Sequence, residues 1–196
     1  MNKIKKTFYR QIEMAVTVFS FLMFSSGASQ AETHFDITTL GLTDSAHTRS
    51  SDGYQFNAAQ QLNEAGQVTG YARRYSGEID MGFSAWFYDG STTAEIGLTG
   101  GVHAMSNGFQ KNFTNQLNDA GQVVGRAIRY NGATEIGESI WFYNGATTSE
   151  IGLVGSGYIN SGNGLQSNSV VKLNQAGLVL GKANRYDGAA YTGTTS

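Results

Sequence analysis

Cysteine and proline are both absent from the 196 residues. Without cysteine, neither a disulfide framework nor a thiolate site can form. Histidine is scarce, at three residues, and charge is low, with 13 Lys plus Arg against 15 Asp plus Glu. Basic residues do not cluster beyond the N-terminus, so neither nucleic acid nor an anionic membrane is an expected partner. Beyond the N-terminus no stretch of useful length has a helical hydrophobic period. The metalloprotease helix motif, the nucleophile elbow, the phosphate loop and the calcium-loop spacing are missing too. What the chain has in quantity is glycine, 26 residues, and an internal repeat.

The repeat is centred on a nonamer. LNEAGQVTG starts at Leu62, LNDAGQVVG at Leu117 and LNQAGLVLG at Leu173. The spacings are 117−62 = 55 and 173−117 = 56 residues. Asn followed three residues later by Gly is turn chemistry. The Asn side chain bonds the backbone two residues on, and Gly accepts the positive φ that closes the turn. Valine or leucine then opens a run of period 2, so the unit reads as a β-hairpin. Aligned without gaps, residues 61–98 and 116–153 share 24 identities in 38 positions, which makes common structure the expectation. Periods of this length belong to propellers, solenoids or arrays.

Each repeat predicts four short strands. In the first copy they fall near residues 58–62, 67–75, 83–88 and 92–98. The third carries Trp86-Phe87-Tyr88, repeated as Trp141-Phe142-Tyr143, all strong strand formers. Turn dipeptides follow, Asp89-Gly90 and Asn144-Gly145. The fourth strand ends in Glu-Ile-Gly-Leu at Glu95 and again at Glu150, and a related end at Leu42 gives a leading strand over residues 37–42. In the second strand, Val68, Gly70, Ala72 and Arg74 share one face, and the matching residues in the other copies are the same types. A face that is small and invariant among copies is a packing face. The expected fold is therefore all-β: repeated four-stranded antiparallel meanders stacked as a partial, unclosed β-propeller, with a β-solenoid or sandwich as the alternative. Open strand edges are expected at residues 37–42 and 183–186, inviting self-association.

The N-terminus reads as a signal peptide, residues 1–31. Lys3, Lys5, Lys6 and Arg10 precede an apolar run over residues 15–24, and Ser29-Gln30-Ala31 ends the segment. The apolar run is too short for a membrane span, which needs ~20 residues. Cleavage after Ala31 leaves a repeat domain, residues 32–196, with 13−4 = 9 basic and 15−1 = 14 acidic residues. The expected location is secreted, extracellular or periplasmic, by a Sec-type route. Tyr75, Tyr130 and Tyr186 correspond, and each Trp follows its Tyr by eleven residues. A third Trp is thus due at 186+11 = 197, so the expectation is a piece of a longer repeat protein or a prematurely ended one.

The pairing of LNDAGQVVG with EIGLTGG (from Glu95) resembles the bacterial extracellular repeat proteins of the HAF type. The resemblance spans about residues 37–196. The name-giving tripeptide is replaced here by Ser84-Ala85-Trp86 and Ser139-Ile140-Trp141. It implies an exported, propeller-like protein and brings no catalytic residues.

No catalytic, cofactor-binding or metal-binding residue is assigned from the sequence, and no cofactor is implied. His47 and His103 are 56 apart and hold the same place in two loops, with Tyr158 in the third. They read as solvated loop residues. Scaffold positions must repeat, whereas recognition surfaces need not, and loops on a rigid frame are where function concentrates. The candidate binding rim is the loops over residues 43–57, 99–112 and 154–168: His47, Tyr54, His103, Asn107, Phe109, Tyr158 and Asn163. Such a rim suits a neutral glycan or a protein surface; drifting linkers are the alternative. The expected function is a structural or interaction module, not an enzyme. A fragment of a propeller enzyme acting on extracellular glycans is the second class.

Overall fold

The computed structural model describes residues 37–196; the expected signal peptide and its cleavage site lie outside them. The described part is all-β. Its only helical elements are two single 3-10 turns, Ser45–His47 and Gly101–His103. The first repeat unit contributes β1 (Asn57–Leu62), β2 (Val68–Ser76), β3 (Ile79–Tyr88) and β4 (Thr93–Ile96). The second contributes β5 (Gln110–Leu117), β6 (Val123–Asn131), β7 (Thr134–Tyr143) and β8 (Thr148–Ile151). The third contributes β9 (Gln166–Leu173), β10 (Val179–Asp187) and β11 (Ala190–Thr195). Together they form one open, mixed, 11-stranded sheet.

The nonamer folds as its residue types require. The Asn63 side-chain carbonyl accepts the amides of Ala65 at 3.1 Å and Gln67 at 2.9 Å. Gly66 closes the turn at φ +76°, a conformation that costs glycine nothing. Leu62 pairs with Val68 across it. Asn118 and Asn174 build the same turn in the other units. The turns also stack: Asn63 Nδ2 donates to the Asn118 carbonyl at 2.9 Å, and Asn118 Nδ2 to the Asn174 carbonyl at 3.1 Å. One amide side chain thus shapes its own hairpin and ties it to the next.

Within a unit the strands pair antiparallel in sequence order. Between units the pairing is parallel, which the sequence reading did not include. The first half of β3 meets β5 at Gly82↔Gln110 and Phe83↔Lys111, and β7 meets β9 at Gly137↔Gln166 and Glu138↔Ser167. Glycine is needed at these joints. A Cβ on Gly82 would stand 1.9 Å from the Gln110 carbonyl oxygen, and one on Gly137 1.7 Å from that of Gln166.

The hydrophobic core lies between units. Ala85, Phe87 and Ile96 of the first pack against Val123, Ala127 and Trp141 of the second. Val124 and Ile140 of the second pack against Leu173 of the third. Leu42, Val68, Ala72 and Trp86 form a further cluster on the other face of the first unit. The first two units are therefore apolar on both faces, as their Trp-Phe-Tyr triplets require.

Two expectations need correction. Residues 37–42 form no strand. Instead Leu42 is held by the Asn57 side chain, whose oxygen accepts its amide at 2.9 Å and whose nitrogen donates to its carbonyl at 3.0 Å. Residues 183–186 are no edge either, because β10 is flanked by β9 and β11. The fourth strands end at Ile96 and Ile151, since Gly97 and Gly152 turn to φ +106° and +108°.

Candidate functional site

The two histidines are the best starting point, because they are not solvated. His47 is 1% exposed and His103 7%. Each ends a 3-10 turn that drops its ring into the unit that follows it in the chain. Asp44 starts the first of these turns and accepts the Ala46 amide at 2.8 Å. It also takes the Nδ1 side of His47, at 2.9 and 3.0 Å. Burial raises the Asp44 pKa, but the bond to His47, that ring's charge and two backbone amides outweigh it, and the net shift is downward.

The other nitrogen of His47 lies 3.0 Å from Ser84 Oγ, which is fully buried on β3. Ser84 Oγ donates to Glu95 Oε1 at 2.7 Å. Arg74 Nη1 donates to both, at 2.9 Å each. Strands β2, β3 and β4 are thereby joined to the preceding loop through four polar side chains. The second unit repeats the set. His103 Nε2 lies 3.0 Å from Ser139 Oγ, which donates to Glu150 Oε1 at 2.5 Å. Arg129 Nη1 donates to Ser139 at 3.0 Å and reaches Glu150 at 3.4 Å. Here Gly100 stands at the Asp44 position and provides no side-chain cap. Desolvation pushes the His103 pKa down, and Arg129 adds to this against the pull of Glu150. In the third unit Tyr158, Thr195 and Arg185 hold the matching positions.

Asp44, His47 and Ser84 follow the order of a serine hydrolase relay. The surroundings do not suit one. Ser84 is sealed from solvent, and its single oxygen already serves Arg74, Glu95 and His47. A nucleophile must reach a substrate carbonyl and give its proton to the base. The second copy keeps His, Ser, Arg and Glu without the aspartate. What both copies share is a closed polar network that fixes a loop to three strands.

The outer side of the network is open. Arg74 and Glu95, with Ile96, Gly97, Thr99, Gln110 and Thr148, line a polar cavity of about 420 Å³ where the first two units meet. Thr148 reaches across the junction, its hydroxyl 3.3 Å from the Gly97 amide. Among the described residues no group of three or more His, Asp or Glu is placed to hold a metal ion.

Compared with protein-family models, with curated proteins and with solved structures, the chain matches none.

The rim residues divide into two groups. His47 and His103 belong to the interior network. Tyr54 is 45% exposed; its ring stands edge-on to Tyr75 at 6.4 Å with the Arg49 guanidinium 5.0 Å above it. Phe109 holds the matching place against Tyr130 at 6.3 Å, with Lys111 Nζ 5.6 Å from its ring. Asn107 and Asn163 are exposed and use their side chains to cap local turns, at the amides of Phe109 and Leu165. Tyr158 is half-buried. The structure does not draw these seven into one constellation. Sequence reasoning passed over Ser84, Ser139, Glu95 and Glu150 as site residues. Their signal was available, because all four repeat 55 residues apart, in step with the arginines.

Proposed function

We infer that the chain is an exported repeat protein of the HAF type, built as part of an unclosed β-propeller. On this reading it acts as a structural or interaction module at the cell surface or in the extracellular space. The observation that carries the reading is the repeated His–Ser–Arg–Glu set. The side chains best equipped for chemistry recur in the first two units and are spent there on holding loops to strands. An active site needs one constellation, whereas scaffold recurs. On the loops, Tyr54 gives way to Phe109 and Leu165 in the other units, Asn107 and Asn163 hold one repeated exposed place, and Thr99 and Thr148 border the polar mouth. Aromatic rings beside amide and hydroxyl groups suit a neutral glycan or a protein surface. The basic, apolar and small-residue order of the first 31 residues supports export.

The test joins localisation to binding. The full chain is expressed with its N-terminus intact and its location followed by fractionation. The purified protein is then screened on glycans and on cell envelopes, beside a variant carrying Tyr54→Ser, Asn107→Ala and Asn163→Ala. Export with attachment that the triple variant loses while it remains folded is the expected result. Retention in the cytoplasm, attachment indifferent to all three changes, or release of sugar fragments from a polysaccharide contradicts it.

A further inference from the structure

Arg74 and Glu95 each use only part of their hydrogen-bonding capacity within the fold. Arg74 makes its two side-chain bonds through Nη1, to Ser84 and to Glu95 at 2.9 Å each. Glu95 accepts through Oε1, from Ser84 at 2.7 Å, Arg74 at 2.9 Å and Gln110 at 3.5 Å. No described residue bonds to Arg74 Nη2 or to Glu95 Oε2. Both residues line the polar cavity of about 420 Å³ where the first two units meet. Three more polar side chains line it. Thr99 is exposed, and its hydroxyl bonds to no described residue. Thr148 accepts the Gly97 amide at 3.3 Å and keeps its own proton to donate. Gln110 is 4% exposed, gives one amide proton to Glu95 and keeps its side-chain carbonyl.

These groups define what fits. Arg74 Nη2 and the Thr148 hydroxyl donate, Glu95 Oε2 and the Gln110 carbonyl accept, and Thr99 does either. The charges of Arg74 and Glu95 cancel. An apolar ligand would leave these polar groups unpaired. An anion would meet Glu95, and a cation Arg74, as like charges. A ring that carries several hydroxyls and no charge donates and accepts at every side. The volume lies in the range of small-ligand sites, about 300–1,000 Å³. The full set occurs once among the described residues. At the junction of the second and third units Val154 replaces Thr99. Gln166, at the place of Gln110, is closed off there at 1% exposed, with neither side-chain polar atom partnered. A recurring frame that carries one unrepeated polar cavity is what a binding site requires.

We propose that the cavity at the junction of the first two units binds a single neutral sugar ring through Arg74, Glu95, Thr99, Gln110 and Thr148. The inner atoms of Arg74 and Glu95 hold the His47 loop, and their outer atoms meet the ring hydroxyls. The two hydroxyl side chains, one from each unit, complete the contacts. The proposal rests on the reading of the chain as a binding module and narrows it to one cavity and one ligand class. It does not depend on export.

The probes are D-glucose, D-galactose, D-mannose and N-acetyl-D-glucosamine, each titrated into the isotope-labelled full chain and followed by NMR. At least one should bind saturably and shift the amides of Gly97, Thr99 and Thr148. Cyclohexanol, a ring of the same size with one hydroxyl, should bind at least about tenfold more weakly. Thr99→Val copies the second unit and removes no hydrogen bond among the described residues. It should weaken the sugar at least about threefold, and with Thr148→Val at least about tenfold, while the spectrum elsewhere stays that of the folded chain. No saturable binding of any of the four, equal binding of cyclohexanol, shifts confined to another region, or undiminished binding by Thr99→Val overturns the proposal. The variant carrying Tyr54→Ser, Asn107→Ala and Asn163→Ala separates the two readings. Sugar binding lost there and kept in Thr99→Val puts the ligand on the loops, which overturns the cavity and leaves the module standing. A sugar bound in the cavity and then converted to a product overturns the module and leaves the cavity standing.

Discussion

Asn112 grips the backbone of Leu98 from both sides. Its side-chain nitrogen donates to the Leu98 carbonyl at 2.7 Å and its oxygen accepts the Leu98 amide at 3.1 Å. One side chain thereby acts as a strand neighbour for the peptide that leaves the fourth strand. Asn57 does the same for Leu42, and Asn168, at 3.3 Å on both contacts, for Leu153.

Replacing Asn112 with Ala leaves the half-buried amide and carbonyl of Leu98 without these partners. The expected cost is about 1–3 kcal/mol. Each kcal/mol lowers the melting temperature by roughly 2–4 °C in a chain of this size. Asn112→Asp keeps the acceptor but cannot donate, so the Leu98 carbonyl stays unmet. Thermal denaturation of both variants checks this; two melting curves that overlay the wild type contradict the clamp.

Acidification should weaken the fold as pH falls below about 6.5. The pKa of His103 is held below its ordinary value, chiefly by desolvation. The unfolded chain therefore takes up a proton first, and stability present above about pH 6.5 is lost as pH falls through the folded pKa. Asp52 and Asp89, both pulled down to about 2, act only at lower pH. His103→Gln should flatten the dependence of melting temperature on pH in that window. A variant with the wild-type slope assigns the effect elsewhere.

Tyr130 is a case of the opposite sign. Its ring is buried, its hydroxyl has no hydrogen-bond partner, and desolvation first, then Glu135, pushes its pKa up to about 12. Stability that depends on the neutral phenol is complete below about pH 10 and declines above it, as the unfolded state ionises. Tyr130→Phe removes an unsatisfied buried group, so it should be neutral or stabilising by up to about 1–2 kcal/mol. It should also remove the alkaline loss. A marked destabilisation at neutral pH would reveal a partner for the hydroxyl.

Local chemistry was the most legible part of the chain. Asn63, Gly66 and Val68 specify a hairpin by themselves, so its place follows from nine residues. The strands follow from the aromatic triplets and the turns that bound them. Contacts set by register were not legible. Asn112 and Leu98 are 14 residues apart, and His47 and Ser84 are 37 apart. Nothing in either loop announces that its histidine turns inward to a serine on another strand. Residues 37–42 were read as a strand from their likeness to the fourth-strand ends. Among the described residues no third strand precedes them, and the Asn57 clamp holds Leu42 instead. The pairing of β11 was not legible because AYTGTT carries the single aromatic Tyr191 and no triplet like those of β3 and β7.

Whether the polar network is scaffold or relay is the central question of the account, and Ser84 tests it directly. The full chain is treated with a fluorophosphonate probe and analysed by intact-mass spectrometry. Ser84→Ala and Ser139→Ala are melted in parallel. If the network is scaffold, no adduct forms on the folded protein, and both variants lose stability by a similar amount, about 1–3 kcal/mol. An adduct on Ser84 alone, with Ser84→Ala as stable as the wild type, would contradict that reading and make the first unit an active site.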